Sequence, residues 1–329
     1  MMDTPEQKWE APTMENYAAP VPARKIPHLG HALGFAVLAG VILFVLEATF
    51  FGVASGMHLF PHKSLAALTR EPRLILPAMA LSYITTLLAS LLFFPLLWHR
   101  TFGEGIHWNF KVARRLALRL IAGGLLLGVT VQALSKYLPM PKSLPMDEFF
   151  RTRVDVWMVT IFGVLLAPMF EEIAFRGFIL PAFAYAFDWM NRTWRPSALK
   201  QAHALRLDFA AYEQPLPEHD GSFVETQTTP REDSIANDLV APAPPPSRAA
   251  LLYSSILTSV LFALLHADQL AHAFAPLAVL FCVSMALTTV RILTDSVAAS
   301  ALVHASYNLS VFLALFIGTD GYRHLDKIK

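Results

Sequence analysis

The chain has 329 residues, of which 55% are hydrophobic and 16% charged, with a formal net charge of +1. Soluble domains carry about 25% charged residues, so the composition excludes an ordinary soluble protein and points to an integral membrane protein. The balanced charge, with no basic block set apart from the apolar runs, excludes nucleic acid as a partner.

Residues 1–28 hold Pro5, Pro12, Pro20, Pro22 and Pro27 among polar residues and read as a disordered tail, without the short apolar core and cleavage site of a secretory signal. Residues 29–153 follow as an amino-terminal set of membrane helices. The first run, 31–58, is long enough to cross a bilayer and carries Glu47 near its middle. No motif surrounds Glu47, so a polar group facing the bundle is favoured over an ion or proton site. The second run, Leu74–Trp98, has Pro77 and Pro95 in its first and last turns, where a missing N–H is tolerated, and ends on the interface markers Trp98 and His99. Between Arg100 and Arg115, aromatic and basic residues alternate as in a segment lying on headgroups on the cytoplasmic side. The third run, 116–138, contains Gly123, Gly124 and Gly128, whose small surfaces permit close helix contact.

After Pro139, Pro141 and Pro145 a short amphipathic piece, 146–153, leads into the fourth run, 154–190. As one straight helix that run would be about 55 Å long, nearly twice the hydrocarbon thickness of roughly 30 Å. Pro168, Gly177 and Pro181 are the places for it to bend, giving either one span with an interfacial helix or two short pieces. The fold class is therefore all-α, a polytopic transmembrane helix bundle of seven to eight spans. A polar insert, 191–248, ends in Ala241-Pro242-Ala243-Pro244-Pro245-Pro246-Ser247 and reads as a spacer with one helix at 196–214. Three closely joined runs at 250–267, 272–290 and 294–317 complete the core that begins at 154, and 318–329 is a tail. The single cysteine, Cys282, lies in one of these runs and reads as a small buried hydrophobe. On a seven-span count, basic residues fall more on the side of the amino terminus, which favours a cytoplasmic amino terminus, here in the plasma membrane of a bacterium.

Chemistry concentrates in Phe170-Glu171-Glu172-Ile173-Ala174-Phe175-Arg176-Gly177, where two carboxylates and a guanidinium interrupt an apolar run. On a helix Glu172 and Arg176 share a face and can pair, whereas Glu171 lies about 100° round the axis and is left free. A free carboxylate at membrane depth is by default functional and calls for partners. Two later runs supply them: Phe262 with His266, and His304 with Asn308, each pair four residues apart on one helix face. Either pair alone is ordinary interhelical polar glue. Together, a carboxylate, two imidazoles and an amide are an inventory for activating water and stabilising an oxyanion. A serine nucleophile elbow, a Cys–His pair and an HExxH zinc signature are all missing from the sequence.

These residues resemble the three motifs, EExxxR, FxxxH and HxxxN, of the CPBP intramembrane proteases, which include the type II CAAX prenyl endopeptidases and bacterial relatives. The resemblance covers residues 154–317. It implies an endopeptidase acting on a peptide or protein substrate at the bilayer, with prenylated CAAX proteins as one substrate class. It also implies Glu171 as general base, His266 as its partner in holding the water, His304 with Asn308 as the oxyanion pair, and Glu172 with Arg176 as a supporting ion pair. Two mechanisms stay open: Zn²⁺ held by Glu171, His266 and His304 with water in the fourth position, or direct activation of water by Glu171 without a metal. The rival readings are a transporter or proton relay running through Glu47, Glu171 and the histidines, and a catalytically silent scaffold or immunity protein.

Overall fold

The computed structural model describes residues 26–61, 64–141, 143–194 and 245–328. Apart from Pro245 these residues belong to one unit. Most of the amino-terminal tail and of the polar insert, including the helix expected at 196–214, lies outside the described residues. Among those described there are helices and connections but no strand.

The elements in chain order are α1 (Leu29–Gly56), α2 (Leu65–Leu68), α3 (Pro72–Trp98), α4 (Phe102–Gly105), α5 (Phe110–Arg115), α6 (Ala117–Ser135), and a 3₁₀ turn at Pro145–Phe150. A long helical run follows as α7 (Arg153–Ile161), α8 (Ala167–Glu172) and α9 (Leu180–Trp194). After it come α10 (Arg248–Leu265), α11 (Phe274–Thr294) and α12 (Val297–Gly318). Seven helices among the described residues are long and apolar enough to cross a membrane, with Arg153–Asn191 counted as one. Leu33, Val37 and Phe44 of α1 and Leu88, Leu92 and Leu96 of α3 point outward and are exposed. Such broad apolar faces suit lipid, not water.

The fourth run counts as one of these seven helices, and it runs through without breaking. Two π-helical segments, Phe162–Leu166 and Ile173–Ile179, lie on either side of α8. Pro168 has no N–H to give, and the backbone adapts by widening: Ala167 N–H reaches back five residues to Phe162 O. The second widening repeats the device, with Leu180 N–H bonded to Phe175 O. A π segment changes the register by a fraction of a turn while keeping the helix continuous, and such segments are frequent at functional sites. Here they enclose the glutamate pair.

One aromatic cluster holds this run in place. Phe35, Phe94, Trp98, Phe102, Ile106, Phe170 and Phe178 form an aromatic core between α1, α3, α4 and the π segment, with the Phe35 and Phe178 rings stacked at 4.4 Å. Elsewhere α12 lies close along α6: a Cβ added at Gly124 would meet Val303 O at 2.5 Å, and one at Gly128 would collide with Ser310. The packing role expected of the glycines thus holds at these two positions, while Gly123 faces open space.

Several local expectations are corrected. Trp98, read as an interface marker, is turned into the aromatic core, at 4% exposure. Phe102 is buried there too, so the first half of the 100–115 segment plugs the bundle. Only the second half, with Phe110, Lys111, Arg114 and Arg115 exposed, has the surface-lying character expected. Cys282 is exposed, because the inner face of α11 is taken by Val283, Ser284, Leu287 and Thr288. Arg291 is not in a join: α11 continues to Thr294, and the side chain is buried while its guanidinium donates to Asp295 at 2.8 Å. A cation in the last turn suits the helix dipole.

Candidate active site

Glu172 and Arg176 are both fully buried and form the ion pair expected from their spacing, with Arg176 Nη1 donating to Glu172 Oε1 at 2.9 Å. A buried pair is tolerable only when the remaining donors and lone pairs are matched. Arg176 achieves this through α11: Nη2 donates to Ser284 Oγ at 2.6 Å and to Ser284 O at 2.9 Å, and Nε to Thr288 Oγ1 at 3.4 Å. The guanidinium also lies 5.0 Å from the centroid of Phe262, a cation–π contact. Ser284 and Thr288 did not figure in the sequence reading. Their signal, two hydroxyls four residues apart on an apolar helix, exists but is common in membrane spans.

His304 joins this pair from α12. Its Nδ1 lies 3.0 Å from Glu172 Oε1. A carboxylate already paired with a guanidinium can only accept, so Nδ1 carries the hydrogen and Nε2 is free to exchange a proton on the other side of the ring. Nε2 points at Glu171 Oε2, 3.8 Å away. Among the described residues the second oxygen of Glu172 has no hydrogen-bond partner, and the Ser300 hydroxyl near this carboxylate donates to Val297 O at 3.0 Å.

Glu171 differs from its neighbour in every respect. Its side chain is 18% exposed, no arginine among the described residues makes an ion pair with it, and His304 Nε2 lies 3.8 Å away, beyond direct hydrogen-bond range. Two carboxylates and one guanidinium leave the cluster one negative charge in excess. The 3.8 Å between Glu171 Oε2 and His304 Nε2 is a gap that a small shift or one bridging water closes.

His266 caps the end of α10, where its Nδ1 lies 2.8 Å from Phe262 O. A backbone carbonyl can only accept, so this hydrogen bond fixes the tautomer and leaves Nε2 as an acceptor. Phe262, 2% exposed, separates the two imidazoles, 4.9 Å from the His266 ring and 5.9 Å from the His304 ring. The FxxxH aromatic is thus a spacer that also covers Arg176.

Asn308 lies one turn beyond His304 on α12. Its Nδ2 donates to Gly163 O at 2.6 Å. The reason lies in the first π segment: Ala167 N–H has moved to Phe162 O, and Pro168 has no N–H to offer Gly163 O. Asn308 satisfies the freed carbonyl, which ties α12 to the widened turn just ahead of Glu171. One Nδ2 hydrogen remains.

The Zn²⁺ alternative can be set against the donors present. Nε2 of His266 is a lone-pair donor of the right chemistry. Yet among the described residues no group of three or more His, Cys, Asp or Glu is disposed to hold a metal ion. Glu171, His266 and His304 therefore do not form a ligand set in this arrangement.

Away from this cluster, a cleft of about 790 Å³ is lined by Arg70, Arg73, Arg151, Glu148 and Asp155 among others; none of the candidate site residues lines it. There Arg73 ties the start of α3 to Asp155 at 3.2 Å. Elsewhere, His107 and Arg291 converge on Asp295, and Val297 N–H donates to His107 O at 3.0 Å, clamping the α4–α5 loop to the α11–α12 turn.

Residues 241–310 match the family model described as type II CAAX prenyl endopeptidase Rce1-like. No curated protein and no solved structure matches the chain. The matched segment spans Phe262, His266, His304 and Asn308, so this part of the chain is similar to that family.

Proposed function

We propose that this protein is an intramembrane endopeptidase that hydrolyses a peptide bond in a membrane-associated, lipidated protein, with a prenylated CAAX carboxy terminus as the substrate class. The observation that carries the reading is the division of labour in the glutamate pair. Glu172 is neutralised by Arg176 and held by His304, whereas Glu171 is unpaired, partly open and faces His304 Nε2.

In this mechanism Glu171 removes a proton from water as the water oxygen bonds to the scissile carbonyl carbon. His266 Nε2 accepts the second water hydrogen and orients the nucleophile. The carbonyl oxygen becomes an oxyanion, which His304 Nε2–H and the remaining Asn308 N–H stabilise. Collapse of the tetrahedral intermediate breaks the C–N bond, and the proton taken by Glu171 passes to the leaving amine. The Phe262 ring keeps the two imidazoles apart.

The test is cleavage of an internally quenched, farnesylated CAAX peptide by the purified protein in lipid nanodiscs. Glu171→Gln is expected to lower kcat by 10³-fold or more, in the range of a lost general base. A Glu171→Gln protein that cleaves at the wild-type rate refutes the reading. Metal content and chelator sensitivity of the active wild type decide whether Zn²⁺ takes part.

A further inference from the structure

Oxyanion donors in the cluster are few, since one Asn308 N–H is spent on Gly163 O and His304 Nδ1 on Glu172. Tyr83 of α3 packs on the glutamate helix. Its ring lies flat on Phe170, the residue before Glu171, with centroids 3.8 Å apart and planes 9° from parallel, and it is 5.5 Å from Phe162 in the π segment. Held between two rings, the phenol has little freedom to turn. Its hydroxyl interacts electrostatically with Glu171 and, from α1, with Glu47. Among the described residues the hydroxyl makes no hydrogen bond to the protein, although its neighbour Ser82 is satisfied by Ala78 O at 2.7 Å. A tyrosine in an apolar bundle normally finds a partner for its hydroxyl. A donor fixed in direction and left for a guest is the arrangement expected of transition-state stabilisation.

We infer that Tyr83 is a further catalytic residue whose hydroxyl donates to the scissile carbonyl oxygen as that oxygen becomes an oxyanion. The inference rests on the peptidase reading above. It predicts a defect in kcat, not in substrate affinity, because the hydrogen bond strengthens only as charge develops. It also brings α3, from the amino-terminal half of the chain, into a site otherwise built by residues 163–308.

The experiment compares wild type, Tyr83→Phe, a protein with O-methyltyrosine at position 83, and Glu171→Gln on the farnesylated, internally quenched CAAX peptide in nanodiscs. Phenylalanine keeps the stack on Phe170, and O-methyltyrosine keeps the oxygen while losing the donated hydrogen. Both are expected to lose roughly 10²-fold in kcat with KM within about twofold, as when one oxyanion donor is removed, and Tyr83→Phe is expected to keep the wild-type unfolding temperature. Wild-type kcat in either variant, or a rise in KM alone, overturns the role of Tyr83. If Glu171→Gln is dead in the same assay, the peptidase reading stands without it. A wild-type protein that cleaves nothing overturns both.

Discussion

The two halves of the glutamate cluster are one residue apart and physically opposite. The Glu172–Arg176 half is sealed from solvent and tied to α11 and α12, and all three guanidinium nitrogens have partners. The Glu171 half is partly open, with an imidazole nitrogen facing it at a distance that makes no bond. Satisfied buried charge gives rigidity and fixes geometry, whereas unsatisfied charge at membrane depth is what remains available for chemistry. Mutations in the first half should therefore act on folding, and those in the second on turnover.

Arg176→Ala should show the largest effect. It leaves Glu172 buried without its counter-charge, which costs about 3–5 kcal/mol, so little folded protein should survive detergent extraction and size exclusion. A well-folded variant would erase the distinction between the halves. Asn308→Leu should come next, with an effect on both sides of the divide. Gly163 O loses its donor at a cost of about 1–3 kcal/mol, and kcat falls as the turn ahead of Glu171 loosens; thermal unfolding and cleavage assays on one preparation would read both. Ser284→Ala removes one of the α11 hydroxyls from Arg176 but leaves the Ser284 carbonyl. A loss of about 1.5 kcal/mol, with kcat unchanged in the folded fraction, would sharpen the comparison.

The smallest effect belongs to Asp295, remote from both halves. Partial burial pushes its carboxyl pKa up, but the hydrogen bonds and charges of His107 and Arg291 outweigh burial and hold it at about 2 instead of 3.8. A carboxylate with a depressed folded pKa stabilises the fold above its unfolded value, and that contribution fades as pH falls from about 4 towards 2. Because the side chain is 69% exposed, solvent screening limits the effect to about 0.5 kcal/mol or less. The check is unfolding of wild type and Asp295→Asn across that pH window, where the two curves should converge at the acid end.

What the sequence disclosed follows the same divide. Charges inside an apolar run stand out against their surroundings, so Glu171, Glu172 and Arg176 were legible at once, and the 4-residue spacing of the ion pair survived the π segment that runs through it. The hydroxyls that satisfy Arg176 were not, since serine and threonine are unremarkable in membrane helices and only the docking of α11 selects Ser284 and Thr288. The span count was ambiguous because proline signals a break, whereas the backbone absorbed Pro168 by widening a turn and borrowing Asn308. Inward or outward facing was the least legible property. Trp98 and Cys282 exchanged the places expected of them because, in an almost uniformly apolar helix, neighbours decide which face is covered. Tyr83 carried no spacing signal at all; only the stack on Phe170 places it beside Glu171.

The central claim is that adjacent glutamates do different jobs, and Glu171→Gln and Glu172→Gln measured side by side test it most directly. Unfolding temperature and cleavage of the farnesylated peptide should separate cleanly. Glu171→Gln should fold as well as wild type and cleave nothing, while Glu172→Gln should lose stability as Arg176 is left uncompensated. A Glu171→Gln protein that turns over at the wild-type rate, or one that is as unstable as Glu172→Gln, would contradict the account.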